Sequence, residues 1–225
     1  MQRYVKEAAQ KGLSAAKKNL IPGVILQALA LTLILLYYRS SAFASQLDQL
    51  GQLNVSWYPW FAILTTMVFG GLIPLIIEAN QAHREGRSQR SLGQILLTLT
   101  VWGVNGYLTA LFYNVQASIF GADASVGTVI KKVIVDQFIW VPIYVVPFFT
   151  YIFLWRDCHF SLPNLKQALE QKSFLSRGLP LMISNWAVWI PAVSVIYAFP
   201  VPLQMVLMNL ILVFWSLMLT IFIKD

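Results

Sequence analysis

Two polar side chains inside an apolar run are the residues of this sequence with the clearest chemical potential. Asp136 and Gln137 are adjacent in KKVIVDQFIWVPIYVVPFFTYIFLW, which begins at Lys131. An ionisable group inside a membrane is costly unless it is paired or meets water, so the pair predicts a solute pathway or a polar lock between helices. A simpler alternative places Asp136 near a helix end, where it pairs with Lys132 four residues earlier.

Prolines within the apolar runs are a second feature. Pro142 and Pro147 each remove an i to i−4 hydrogen bond, and in lipid the freed carbonyl groups must face protein or a hydrated cavity. Beside the polar pair, these prolines predict a helix that faces inward, and the alternative is a static kink that shapes packing. Pro191 and Pro202 are further candidate helix bends, nearer the C-terminus.

The run from Leu92 to Phe120 contains more glycine, threonine and amide side chains than lipid contact requires. Because small residues let helices approach closely and amides can bridge them, this composition predicts a central helix of a bundle, with pore lining as the alternative. Asn105, in the middle of the run, therefore joins the polar pair and Lys132 as a candidate for the pathway or the lock.

The sequence lacks the patterns of an enzyme or a cofactor site. A Gly-rich phosphate loop, an HExxH motif and a paired-cysteine motif are all absent, and Cys158 is the single cysteine. His159 next to Asp157 and Cys158 offers metal-capable atoms, but three adjacent residues of a regular helix cannot all face one ion. We therefore expect no catalytic residues, no metal and no cofactor.

The elements that must position these residues are membrane helices. Of the 225 residues, 58% are hydrophobic and 11% are charged, whereas a soluble globule has a charged fraction of about a quarter. The basic residues are spread between apolar runs, so we expect the lipid bilayer as a partner and no nucleic acid. Runs of about 20 residues, the length of a membrane crossing, predict six spans. These are Leu20 to Tyr38, Trp57 to Ala79, Leu92 to Phe120, Val133 to Trp155, Leu181 to Phe199 and Leu203 to Ile223.

Charge asymmetry favours this number of spans. With six spans, most of the 16 Lys and Arg residues fall on one side, which by the positive-inside rule puts both termini on the cytoplasmic or matrix side. Five spans would move only Lys224 to the other side, so five remain an alternative. The predicted fold class is an all-α integral membrane protein, a polytopic helical bundle.

The segment ahead of the first span has apolar and basic residues at helical spacing, which predicts a short amphipathic helix in the headgroup region. The alternative is a targeting segment, because Ala42-Phe43-Ala44 after an apolar run resembles a signal-peptidase site. We divide the chain into residues 1–56, the amphipathic basic segment with an additional first helix, and residues 57–225, a helical membrane core.

A series of motifs from Tyr58 to the C-terminus resembles the Mpv-seventeen family, which includes the twenty-two-kilodalton peroxisomal membrane protein. Leu75, Ser194 and Val206 stand where that family has an acidic residue, a glutamine and an arginine, so the chain resembles a divergent member. The motif residues are Pro59 in YPW, Arg87 and Arg90, Gly106 followed by Phe112 and Tyr113, Lys132, Asp136, Gln137 and Pro142 in KKVIVDQFIWVP, Trp189, Pro191 and Pro202 in WIPAVSVIYAFPVPL, and Trp215.

This resemblance implies a class of function. Members of the family are associated with channels and with metabolite balance across organelle membranes, so it implies a channel or transport-related protein that passes small solutes or ions. It implies the mitochondrial inner membrane or the peroxisomal membrane, or the bacterial inner membrane for a prokaryotic source, and a homo-oligomer is compatible with it. The alternative is a non-conducting membrane scaffold or assembly factor, in which the polar pair only locks the bundle.

Overall fold

The described part of the chain is helical; in this computed structural model it comprises residues 20–171 and 174–222, and no strand occurs within them. The predicted amphipathic helix before residue 20 lies outside these ranges. In chain order the helices are α1 Leu20–Arg39, α2 Ser41–Ser56, α3 Trp60–Arg84, α4 Leu92–Phe120, α5 Val126–Asp157, α6 Leu162–Gln171, α7 Phe174–Tyr197 and α8 Val201–Phe222.

Three helices have the length and composition of a membrane crossing. They are α3, α4 and α5, which contain 25, 29 and 32 residues. The first two helices are long and apolar enough only when they are taken together. Gly23–Arg39 and Ser41–Ser56 meet at 108°, as the halves of a broken span or a re-entrant loop do. In α7 and α8 the described apolar parts, Asn185–Tyr197 and Val201–Val213, are shorter than a crossing.

The six predicted spans are therefore not supported, since the described residues contain three such helices, or four if the bent pair is one span. An apolar run marks a helix buried in protein as readily as one buried in lipid. Ile196 of α7 and Leu203 and Leu207 of α8 illustrate this, because each is at most 1% exposed within the protein core.

The outer faces of the long helices carry large exposed apolar side chains. Ile76 on α3, Ile119 on α4 and Ile143 on α5 are 52%, 65% and 73% exposed. In water such surfaces favour association with an apolar partner, whereas in a bilayer they contact lipid tails. Exposed apolar faces and helix length together support the class of integral membrane protein.

Close contact between α3 and α4 depends on glycine. A Cβ atom on Gly106 would meet the carbonyl oxygen of Ala62 and come within 2.7 Å of the Thr66 Cβ, and one on Gly70 would collide with the Trp102 ring. The Ala62 backbone and the Trp102 ring cannot move aside without shifting the helices, so glycine is needed at positions 106 and 70. The prediction that α4 packs through small residues is consistent with this geometry.

Two stretches of π-helix occur beside prolines. Within α3 the segment Met67–Leu72 precedes Pro74, and within α5 the segment Asp136–Val145 contains Pro142 and precedes Pro147. Proline lacks the N–H that an α-helix needs and its ring crowds the carbonyl four residues back, so a wider turn relieves both conflicts. The N–H of the residue after each segment bonds five residues back, as π-helical winding requires.

The other two candidate bends behave differently. Pro191 lies inside α7, which continues as an α-helix on both sides of it. Pro202 lies in the first turn of α8, after the turn that ends α7 at Tyr197, and it therefore begins a helix instead of bending one. The first turn is where a missing N–H costs least, because that N–H has no partner within the helix.

The first two helices pack against the turn between α7 and α8. Tyr38 donates a hydrogen bond to the Ala198 carbonyl at 2.7 Å, and Asn54 donates one to the Pro202 carbonyl at 2.8 Å. The Ala198 carbonyl lies just beyond the end of α7, where carbonyl groups have no intrahelical partner, and the bond from Tyr38 satisfies it. The N-terminal helices thus hold the C-terminal pair in place behind the long helices.

Candidate functional site

A cavity of ≈ 770 Å³ lies between α3, α4, α5, α7 and α8. Its lining includes Asp136 and Gln137, about a third of the way along α5, and Arg156 and Asp157 at the C-terminal end of that helix. Twenty helical residues rise about 30 Å, which is about the thickness of the hydrocarbon core of a bilayer. The cavity therefore follows α5 over a large part of its length.

Aromatic rings make up much of the wall between the two ends. Phe112 of α4 stacks on Trp140 of α5 with ring centroids 4.3 Å apart and planes 8° from parallel. Trp102 of α4 packs against Phe149 of α5 at 4.8 Å. These ring pairs join α4 to α5, so the wall is held by packing as well as by the backbone. Phe153 and Trp189 also line the cavity.

Asp136 is buried at one end, 5% exposed, and both of its carboxylate oxygens accept hydrogen bonds. The Tyr197 hydroxyl donates to Oδ2 at 2.6 Å and the Gln137 amide donates to Oδ1 at 3.1 Å. Gln116 of α4 in turn donates to the Tyr197 hydroxyl oxygen at 2.6 Å. One chain of hydrogen bonds therefore connects α4, α7 and α5.

Gln137 is 1% exposed and joins the same site from the next position of α5. Its backbone carbonyl accepts a bond from the Trp186 indole N–H at 2.8 Å. Adjacent side chains both point inward because π-helical winding, which begins at Asp136, rotates successive residues less than an α-turn does. The sequence predicted that the pair faces inward, and both side chains are buried inside the bundle.

Lys132 does not form the predicted ion pair. Its side chain is fully buried, but its ammonium nitrogen has no hydrogen-bond partner among the described residues, and no salt bridge joins it to Asp136. The nitrogen lies 5.8 Å from the centroid of the Tyr197 ring. The interpretation of Lys132 and Asp136 as an i to i+4 pair is therefore wrong, because Asp136 bonds to Tyr197 of α7 instead. Lys132 is also not part of the cavity lining.

A network of ion pairs forms the opposite end of the cavity. The Arg90 guanidinium bonds both carboxylate oxygens of Glu78 at 2.8 Å and contacts Asp157 at 3.1 Å. Arg156 bonds Asp157 at 2.9 Å and donates to the Thr98 hydroxyl at 3.0 Å. The network ties α3, α4 and α5 together. The bond to Glu78 raises the pKa of Arg90 above its ordinary value, so this guanidinium stays charged.

The predicted site residues divide between the cavity and the surface. Asn105 lines the cavity and accepts a bond from the Tyr144 hydroxyl at 3.4 Å. Of the family-motif residues, Arg90, Tyr113 and Trp189 also line it.

The remaining motif residues lie elsewhere. Arg87 pairs with Glu85 on the surface, with both side chains more than half exposed. Pro59 is in the turn before α3, and Trp215 is in α8 at a position whose side chain is not described.

Sequence reasoning missed Arg156 and did not single out Thr98 from the other polar residues of the run from Leu92 to Phe120. Arg156 was counted only as a topology charge, since a basic residue at the end of an apolar run usually faces water. It is in fact only 8% exposed. No sequence pattern distinguished Thr98 from its polar neighbours. The acidic Asp157 next to Arg156 was the one sequence feature that indicated a paired arginine.

Within the described residues, no three His, Cys, Asp or Glu side chains form a group that could hold a metal ion. Comparisons with protein-family models, with curated proteins and with solved structures found no match for this chain. Its function has to be argued from the cavity and the two polar ends.

Proposed function

We propose that this protein passes small solutes or ions across a membrane, as a channel or transport-related protein. The observation that carries the proposal is the single cavity whose lining extends from Asp136 to Arg156. Polar groups occur along this lining at several depths, with Asn105 between the two ends and Thr98 at the Arg156 end. Intramembrane polar residues of this kind face bundle interiors or water-filled cavities and mark pathways for solutes.

In the proposed passage, the ion pairs at the Arg156 end act as a gate. Arg90 connects Glu78 to Asp157 across the cavity end, so a solute reaches the cavity there only after these contacts separate. Glu78 and Asp157 are partly exposed, so water solvates their carboxylates when they separate from Arg90. The free-energy cost of separating these ion pairs is therefore modest.

The resemblance to the Mpv-seventeen family supports the same proposal. Membership in that family and a mitochondrial inner, peroxisomal or bacterial inner membrane are part of what we propose. The exposed apolar faces of the long helices are compatible with contact between copies of the chain in a homo-oligomer, and equally with contact with the lipid bilayer.

The test is solute and ion flux into liposomes that contain the purified protein. Thr109→Trp puts a bulky side chain into the cavity, and Ile143→Trp puts the same side chain on the lipid face, where residue 143 is 73% exposed. We expect flux above that of empty vesicles, a reduction of about tenfold by Thr109→Trp, and little change with Ile143→Trp. Equal flux from folded wild-type protein and empty vesicles contradicts a passage.

A scaffold is the second candidate, and the hydrogen-bonded state of Asp136 favours it. Tyr197 and Gln137 satisfy both carboxylate oxygens, as in a polar lock that specifies how helices pack. If the protein is a scaffold, we expect no flux from the wild type or from Tyr197→Phe. The substitution then only lowers stability, because it removes the hydrogen bond to Asp136. The liposome measurement therefore separates the two candidates.

A further inference from the structure

We infer that the cavity binds an organic cation about the size of a quaternary ammonium group, with Asp136 as its counter-ion and the aromatic rings as its walls. The role of this site in transport rests on the proposed function, whereas binding itself is measured without flux.

Asp136 accepts hydrogen bonds from two neutral side chains. Tyr197 and Gln137 both donate to it, and the Tyr197 proton is available because its oxygen already accepts a bond from Gln116. Hydrogen bonds donated to both oxygens favour the ionised form of a carboxyl group. Asp136 thus has two neutral donors and no ion pair with any described residue.

The second step is the charge balance of the lining. At the far end, Arg90 and Arg156 are matched by Glu78 and Asp157, and every pair is in direct contact. Their formal charges cancel, so Asp136 leaves the lining net negative. Asp136 has two hydrogen-bond donors but no cation among the lining residues, because the Lys132 ammonium lies beside the Tyr197 ring and outside the lining. A cation that enters the cavity is therefore attracted to this carboxylate.

The third step is the chemistry of the walls. Faces of Trp, Tyr and Phe rings attract cations, most strongly where water is excluded, and they are the usual cage of quaternary ammonium groups. Trp102, Trp140 and Trp189 are among the rings that line this cavity. A hard metal cation takes six or more oxygen ligands, which walls of this kind do not supply. The rings therefore select an organic cation.

Size is consistent with this class of ligand. The cavity of ≈ 770 Å³ lies within the range of about 300 to 1,000 Å³ that is typical of small-molecule sites. A choline-sized molecule fits with space to move along the cavity, as a transported solute requires.

The test is binding of choline by isothermal titration calorimetry, with the full chain in a maltoside detergent that carries no ammonium group. The comparison ligand is dimethylbutanol, the uncharged carbon isostere of choline. We expect choline to bind at least about tenfold more tightly than the isostere, because only the cation gains from Asp136 and the ring faces.

Matched variants locate the site. Asp136→Asn is expected to weaken choline binding about tenfold or more, whereas Asp123→Asn, an exposed acid in the loop just before α5, leaves it unchanged. Trp140→Leu is expected to weaken it about three- to thirtyfold, whereas Phe138→Leu, on the lipid-exposed face of the same helix, does not. If Asp136→Asn does not fold, the Trp140 and Phe138 pair decides the question.

Each outcome has a separate meaning. Absence of choline binding by folded wild-type protein, equal affinity for the isostere, or equal effects of Trp140→Leu and Phe138→Leu overturns the cation site. None of these results removes the passage, which is judged by flux. Choline binding with no flux in liposomes retains the site and overturns the proposed function instead.

Discussion

The two ends of the cavity hold charge in different ways. At one end Asp136 is a single buried carboxylate stabilised by neutral donors from α5 and α7. At the other end Arg156 belongs to a group of paired charges, several of them partly exposed. A charge deep in a membrane protein must be satisfied by its neighbours, whereas a charge near the membrane surface is also solvated by water. The first end is therefore stabilised by protein groups alone, whereas the second is also stabilised by water.

The largest expected effect is at the buried end. Asp136→Leu removes the acceptor for the Tyr197 hydroxyl and the Gln137 amide and leaves both donors buried without partners. We expect the free energy of unfolding to fall by about 3 kcal/mol, measured by denaturation in mixed micelles. Asp136→Asn keeps one acceptor oxygen and is expected to cost less. Equal stability of Asp136→Leu and wild type would show that the hydrogen bonds do not hold this end together.

A smaller effect is expected at the charged end. Arg156→Met loses the bonds to Thr98 and Asp157 but keeps much of the side-chain volume, and we expect a loss of about 2 kcal/mol in the same measurement. The control is Arg87→Met, whose exposed pair with Glu85 is worth less than about 0.5 kcal/mol. Similar losses in both variants would contradict a structural role of the Arg156 network.

The smallest effect concerns the exposed loop beside the buried end. Hydrogen bonds from the side chain and backbone N–H of Ser125 lower the pKa of Asp123 from 3.8 to about 2. Because the folded form binds its proton less readily, the stabilisation from Asp123 is complete above about pH 4 and is lost as the pH falls through about 2.

Titration of the Asp123 carboxyl carbon by NMR checks this prediction. We expect a midpoint near pH 2 in the wild type. Ser125→Ala should raise the midpoint more than Thr128→Val, because Ser125 supplies the larger hydrogen-bond contribution and Thr128 a smaller one. A wild-type midpoint near 3.8 would mean that the loop does not form these bonds.

Recognition of the buried end from sequence succeeded for a physical reason. A carboxylate and an amide in the middle of an apolar run have to turn away from lipid, whichever helices surround them. Asp136 and Gln137 therefore identified the inward face of α5 in advance. The pairing with Lys132 was wrong because sequence spacing does not reveal the acceptors and donors on α7.

The charged end could not be found in the same way. Arg156 follows an apolar run, and a basic residue there is the ordinary sign of a cytoplasmic boundary. Its burial depends on Thr98, which is 58 positions away in the chain. Contacts of this separation arise only when α4 and α5 pack against each other.

The sequence by itself determined the helical class, the long apolar helices and the inward direction of the polar pair, because lipid requires backbone groups to bond within helices and polar side chains to leave the lipid face. Tertiary structure alone decided which apolar runs pack as protein core, where Lys132 points, and that Asp136 and Arg156 lie on one cavity. The physical reason is that hydropathy reports the preference of a segment for apolar surroundings, and only packing decides whether lipid or protein supplies them.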